Sequence, residues 1–283
     1  MLATTLTLLA TALLGGAGVS ARNEQIPLLS GYTGNDGTKV PVRLHVMSRC
    51  PDARRCEAVF EEVVKTEGID KKIDLTLGML GKLNPEAEYG VECMHGDLEC
   101  AGDAHQLCLV ENLPLAQWYA VLTCMNFEHF PGAIGQLAFT RKCVEASGVD
   151  WWASGVGRCI QGRHPEHSAV ANKDDPQEAV ATINSKDEAW AYDPPNEGLG
   201  RRARRLLRDS VNQTISDGIK KSCTIRITST LNTRYRDCVV DGGEWKGCND
   251  GHEAVDFVKA INEEHENLAR LNRIHIPAWW TLQ

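Results

Sequence analysis

The sequence predicts an α/β fold interrupted by a cysteine-rich helical insertion, and three observations carry that prediction. A strand–cysteine–helix–strand pattern opens at Val40, and a strand–strand–helix pattern closes the chain after Cys223. Between them, from about Gly90 to Gly162, cysteines are frequent and apolar residues recur at helical spacing.

The chain begins with an apolar, small-residue-rich segment, Met1 to about Ala21, centred on Leu6, Leu8, Leu9, Leu13 and Leu14. Its end, Val19-Ser20-Ala21, suits a small-x-small cleavage site, and its glycines make it short for a membrane span. The expectation is a cleaved secretory signal over residues 1–21, no membrane association afterwards, and one domain over 22–275 with a short tail at 276–283.

Val40, Val42, Leu44 and Val46 alternate as one face of a strand running to Met47. After Cys50-Pro51, the apolar residues Val59, Phe60, Val63 and Val64 mark a helix, and a second strand follows from about Ile73 to Leu80. In the insertion, Trp118, Leu122 and Met125 form one helical face, and Ile134, Leu137 and Ala138 another. The whole insertion is taken as about 90–200, its part from 163 to 200 being polar and irregular with one short helix near Gln177 to Ile183. A helix resumes near Leu199 and runs to about Lys221. Cys223–Ile227 and Cys238–Asp241 read as two antiparallel arms, and a last helix runs from Glu253 to about Arg273.

The formal net charge of -8 disfavours nucleic acid as a partner, because phosphate binding needs a basic surface. Eleven cysteines in a chain that enters the secretory pathway are expected to be mostly disulfides, and the odd number leaves at least one without an intrachain partner. Cys93, Cys100 and Cys108 lack the short Cys-x2-Cys spacing that zinc sites favour, so no metal is expected.

The densest motif is Cys93-Met94-His95-Gly96-Asp97-Leu98-Glu99-Cys100, followed by Asp103 and Cys108. It resembles the signature of the gamma-interferon-inducible lysosomal thiol reductase family, Cys-Gln-His-Gly-x2-Glu-Cys-x2-Asn-x4-Cys. Met94 replaces the Gln and Asp103 replaces the Asn, so the chain resembles a divergent member. The resemblance implies a thioredoxin-like fold with a disulfide-tied helical insertion, to which Cys124, Cys143 and Cys159 would contribute. It also implies reduction of protein disulfides without metal or nucleotide, with a small thiol as reductant, in an extracellular or lysosomal/vacuolar setting.

In such a fold the chemistry rests on a cysteine at a helix N-terminus, where free backbone N–H groups and the helix dipole favour the thiolate. Cys50, followed by Pro51 at the first helical position, is the expected nucleophile. The family's second Cys-x2-Cys position is Ala53 here. Cys56 is no substitute: six helical residues span roughly 9 Å of rise, so its Cα lies about 10 Å from that of Cys50. A disulfide needs Cα atoms about 4.4–6.8 Å apart. The stretch that faces the nucleophile in this fold, Lys220-Lys221-Ser222-Cys223, carries no proline. Ser222 or Cys223 is therefore expected opposite Cys50, and Cys223 is a candidate resolving or pairing thiol. The competing reading is a disulfide-stabilised binding module that kept the scaffold and lost turnover.

His95 and Glu99 could pair as base and orienting acid, or could simply hold the turn. Asn212-Gln213-Thr214 is a glycosylation sequon. Arg201-Arg202-Ala203-Arg204-Arg205 reads as a solvated basic helix face or a processing site. Trp151-Trp152 and Trp279-Trp280 are taken as packing residues.

Overall fold

The alternating residues Val40, Val42, Leu44 and Val46 are each at most 1% exposed in the computed structural model, which describes residues 39–127, 129–162, 198–229 and 235–274. They form β1 (Val40–Val46), which pairs in parallel with β2 (Ile73–Met79) and antiparallel with β5 (Thr224–Thr228). With β6 (Tyr235–Asp241) and β7 (Glu244–Lys246) they make a five-stranded sheet of order β2-β1-β5-β6-β7. Two short strands, β3 (Lys82–Leu83) and β4 (Val91–Glu92), form a separate ribbon. Leu44 lies between Leu77 and Ile225 in register. Burying a side chain of that size stabilises by about 1.5–3 kcal/mol.

The first helix, α1 (Pro51–Lys65), starts at Pro51 because proline lacks the N–H that would otherwise be unsatisfied there. Its buried stripe is Ala53, Cys56, Glu57, Phe60 and Val63. The insertion contains α2 (Asp97–Asn112), α3 (Leu115–Phe127), α4 (Leu137–Ala146) and α5 (Val156–Gln161). The chain then returns through α6 (Arg201–Ser216) to β5 and closes with α7 (Ala254–Ile274). Phe60 of α1 and Phe257 of α7 meet with ring centroids 5.1 Å apart.

This is a thioredoxin-like α/β fold with a helical insertion. The expected strand at the start, the second strand and the last helix match the observed elements within a residue or two. Three details differ. The helix expected to reach Lys221 stops at Ser216, where Gly218 turns the chain with φ +71°. Ile134 is buried in the turn before α4 instead of on its face, and Ala138 is exposed; the buried face is Phe139, Thr140, Cys143 and Val144. Gly135 in that turn has φ +93°, and a side chain there would strike the Leu98 carbonyl. The strand expected from Cys238 begins earlier, at Tyr235.

The expected signal segment 1–21, the helix near Gln177, the tail and Trp279-Trp280 lie outside the described residues. Trp151 is core, 2% exposed, with Trp152 edge-on to it. Among the described residues no helix is long and apolar enough to cross a membrane.

Candidate thiol–disulfide site

Ten of the eleven cysteines are joined in five disulfides. Cys108–Cys159 ties α2 to α5, and Cys124–Cys143 ties α3 to α4, so the insertion is cross-linked within itself. Cys238–Cys248 closes the end of the sheet beyond β7. Cys93–Cys100 closes the start of α2. Five disulfides fit passage through the oxidising secretory pathway.

Cys50 is the cysteine left as a free thiol, and it is 7% exposed. It is the N-cap of α1, with an extended backbone (φ -85°, ψ 127°), and its carbonyl accepts the Arg54 N–H. Its thiol donates to the Ser222 carbonyl at 3.8 Å. The Ser222 hydroxyl in turn accepts the Met47 N–H at 2.9 Å. The peptide between Ser222 and Cys223 is cis, although no proline is present. Ser222 thus stands opposite Cys50.

Cys223 is not available to Cys50. It is bonded to Cys56, with Cα atoms 6.4 Å apart, and that disulfide fastens the second turn of α1 to the start of β5. The reading of Cys223 as a pairing or resolving thiol for Cys50 is corrected accordingly: the Cys56 side chain points across the buried face of α1, straight at β5. Cys50 and Cys56 themselves do not pair, as helix geometry requires.

The charged residues around Cys50 are sorted by their partners. Asp52 turns away and accepts the backbone N–H groups of Gly242 and Gly243, both at 2.8 Å. Arg55 donates to the Gly243 carbonyl at 2.7 Å. Arg54 lies over the rings of Phe127 and Phe130, 5.9 and 5.1 Å from their centroids.

The signature motif builds the other wall. Gly96 takes φ +79° at the N-cap of α2, a conformation that favours glycine. The His95 N–H donates to Glu99 Oε1 at 3.1 Å, and its ring contacts the other carboxylate oxygen. Glu99 is fully buried beneath the turn, so the pair holds the loop. Gly102 lets α2 approach the loop that carries Cys50; a side chain there would meet Ser48 Oγ at 2.5 Å. The Ser48 N–H donates to Asp103 Oδ1 at 2.7 Å, and its hydroxyl donates to the Glu99 carbonyl at 3.1 Å. Asp103 Oδ2 lies 3.9 Å from the Cys93 sulfur. Asp103 therefore links the Cys93–Cys100 disulfide to the strand-to-helix loop two residues before Cys50. Burial, and then the charge of Glu99, push its carboxyl well above the ordinary range.

Beside α1 lies a cavity of about 330 Å³, walled by Pro51, Arg54, Tyr119, Phe127 and Phe130. Glu57 and Asn126 also line it. Neither was anticipated from the sequence, although an acid one turn before Phe60 on the apolar stripe of α1 was the available sign. Burial raises the Glu57 carboxyl to about 8, against the opposing hydrogen bond from Asn126. A second hollow, of about 350 Å³, is lined by Met47, Cys93, Met94, Ile215 and Lys220. Met94, where the family has Gln, is 77% exposed there.

Of the remaining expected residues, Asn212 is exposed on α6, while Thr214 of its sequon is buried at 3.2 Å from His45 Nδ1. The arginines from Arg201 to Arg205 form the first turns of α6, and Arg202 pairs with Glu111.

The sheet order, the thiol at the N-terminus of α1 and the disulfide-tied insertion define a thiol oxidoreductase of thioredoxin-like fold. Residues 41–147 match the model of the family gamma interferon inducible lysosomal thiol reductase (GILT). No curated protein matches the chain. Among solved structures, it is similar to a candidate protein disulfide isomerase from Nitrosomonas europaea, with 7% identity, 82% of this chain and 98% of that one covered, and a TM-score of 0.44. A linker-deletion mutant of Proteus mirabilis ScsC matches with 9% identity, coverages of 82% and 76%, and a TM-score of 0.41. Reduced DsbA1 from Neisseria meningitidis matches with 11% identity, coverages of 83% and 91%, and a TM-score of 0.36.

Proposed function

We propose that this protein reduces disulfides of protein substrates through a mixed disulfide at Cys50, in an acidic or extracellular compartment of the secretory route. The observation that carries the reading is that Cys50, at the N-cap of α1 and opposite Ser222, is the one cysteine without a disulfide partner. The Cys50 thiolate attacks one sulfur of a substrate disulfide; that S–S bond breaks, and the departing sulfur leaves as a thiolate that takes a proton. With Ala53 in place of a second cysteine, resolution falls to a small thiol. One thiol displaces the substrate and leaves itself bonded to Cys50, and a second displaces the first. The sum is one substrate disulfide and two small thiols converted to two substrate thiols and one small-molecule disulfide.

The test is insulin reduction with a small thiol present, comparing the wild-type protein with Cys50→Ser, together with peptide mapping after acid alkylation without reduction. Cys50 should carry the label, and Cys50→Ser should fall to the rate of the small thiol alone. Equal rates for the two proteins would leave the scaffold as a binding module.

A further inference from the structure

Each sulfur of the Cys93–Cys100 disulfide lies against a hydrogen-bond acceptor. Asp103 Oδ2 stands 3.9 Å from the Cys93 sulfur, and the Val91 carbonyl stands 3.3 Å from the Cys100 sulfur. A disulfide sulfur carries no proton, so neither contact is a hydrogen bond while the bridge is closed. Both become hydrogen bonds once it opens to two thiols. Among the described residues none of the other four disulfides has an acceptor at both of its sulfurs.

We propose that Cys93–Cys100 is a second thiol-exchange site, opened by small thiols and closed by small-molecule disulfides while the fold stays intact, with Asp103 as the proton donor to Cys93. The site is separate from Cys50 and does not rest on its role as nucleophile.

Access, proton supply and chain span single out this pair. Cys93 is 9% exposed and lines the hollow of about 350 Å³ that it shares with Met47 and Met94, whereas Cys100 is fully buried, so attack falls on Cys93. Asp103 is fully buried, and its Oδ1 accepts the Ser48 N–H, which leaves an acid proton for Oδ2, the oxygen that faces Cys93. Burial first, and then the charge of Glu99, keep that carboxyl protonated against the hydrogen bonds from Ser48. Asp103 stands where the signature has Asn, an amide that has no such proton to give. The bridge spans 7 residues, against 10, 19, 51 and 167 for the others. The shortest loop restricts the unfolded chain least, so its opening costs the fold least.

The exchange balances in two steps. A small thiolate attacks the Cys93 sulfur, the Cys93–Cys100 bond breaks, and Cys100 leaves as a thiolate. It takes a proton from water, and its thiol then donates to the Val91 carbonyl. A second small thiolate attacks the small-thiol sulfur of the mixed disulfide. Cys93 leaves and takes the proton of Asp103 Oδ2, which solvent replaces. One protein disulfide and two small thiols become two protein thiols and one small-molecule disulfide.

The experiment uses the full chain with Cys50→Ser, so that its outcome is independent of the nucleophile, equilibrated in mixtures of reduced and oxidised glutathione. Free thiols are trapped with N-ethylmaleimide and mapped by peptide mass spectrometry, and circular dichroism follows the fold. Cys93 and Cys100 should become labelled together, with the fold unchanged, at a mixture about tenfold less reducing than any other pair requires, in line with one or two extra hydrogen bonds gained on opening. Exposure alone favours Cys124–Cys143 or Cys238–Cys248, because Cys124 and Cys248 are half-buried. Either of those opening first would overturn the proposal, as would a Cys93–Cys100 bridge that stays closed until the protein unfolds. Asp103→Asn retains an acceptor for the Ser48 N–H, and in it the midpoint for this pair should move about fivefold towards more reducing mixtures while the other four stay in place. A midpoint that does not move would overturn the part given to Asp103; the order of opening decides the site without that variant.

Discussion

At Ala53 a single side chain separates the Cys50 turn from a Cys-x2-Cys pair. Ala53 is 1% exposed and sits three residues into the turn that Cys50 caps, where helical geometry places the two Cα atoms about 5 Å apart. That is inside the range of about 4.4–6.8 Å that a disulfide spans. Ala53→Cys is therefore expected to close onto Cys50, protecting both from acid alkylation until mild reduction, and to make insulin reduction less dependent on the concentration of small thiol. Labelling of Cys50 at the wild-type rate in that variant would show that the turn cannot bring the sulfurs together. Asp103 acts differently, as an acceptor for the Ser48 N–H. Asp103→Asn keeps an oxygen in that place and should preserve the Cys50 loop, whereas Asp103→Leu orphans a buried N–H and should lower unfolding stability by about 1–3 kcal/mol. Urea denaturation of both variants checks the contrast, and equal losses would argue that the hydrogen bond is unimportant.

The elements were legible where one periodicity dominates. β1 alternates cleanly, Phe60 and Val63 mark the apolar side of α1, and Val258, Ile261 and Leu268 mark α7, so each could be placed from its own residues. The two-residue strands β3 and β4 and the three-residue β7 are too short for any period to register, and they exist through their pairings. Cys50 was readable because Pro51 flags the helix start, and the residue opposite it was narrowed to Ser222 or Cys223 by the place of that stretch before β5. The partner of Cys56 was not, because the bond spans 167 residues and local spacing says nothing about which strands become neighbours. The same long span gives that bond its energetic weight: it restricts the unfolded chain, and its removal should cost about 2–5 kcal/mol. In a Cys56→Ala/Cys223→Ala variant the first turns of α1 lose their tie to β5. Thermal unfolding should move down by a corresponding amount while acid alkylation still labels Cys50. An unchanged midpoint would mean that the packing of α1 against α3 and α7 holds the helix by itself.

Across the whole molecule, buried titratable groups of opposite kind set the pH range in which the fold is most stable. Glu57 is raised from 4.5 to about 8 by burial, and Asp103 is also raised, so the folded protein holds two protons that the unfolded chain releases above about 4.5. Their contribution is full below the unfolded values and is lost as pH rises towards the folded ones. His45, lowered to about 3 by burial and then by Arg43 and Arg226, and His105, lowered to about 4 by burial, behave in the reverse sense. They stay neutral when folded, so their contribution is lost as pH falls below 6.5. Each group in its window changes stability by roughly 1.4 kcal/mol per pH unit. Between about pH 4.5 and 6.5 the acids and the histidines oppose one another, which flattens the profile there. The expected profile is thus a plateau over that acidic range, a decline above 6.5 as the acids act alone, and a decline below 4.5 as the histidines do. Such a profile suits a reductase working in an acidic compartment. Glu57→Gln removes one of the two acid terms, so its stability should climb with pH across the plateau and fall less steeply above it. Chemical denaturation from pH 4 to pH 8.5 measures both curves; superimposable profiles would show that Glu57 is ionised in the fold at neutral pH and would remove it as a determinant of the range.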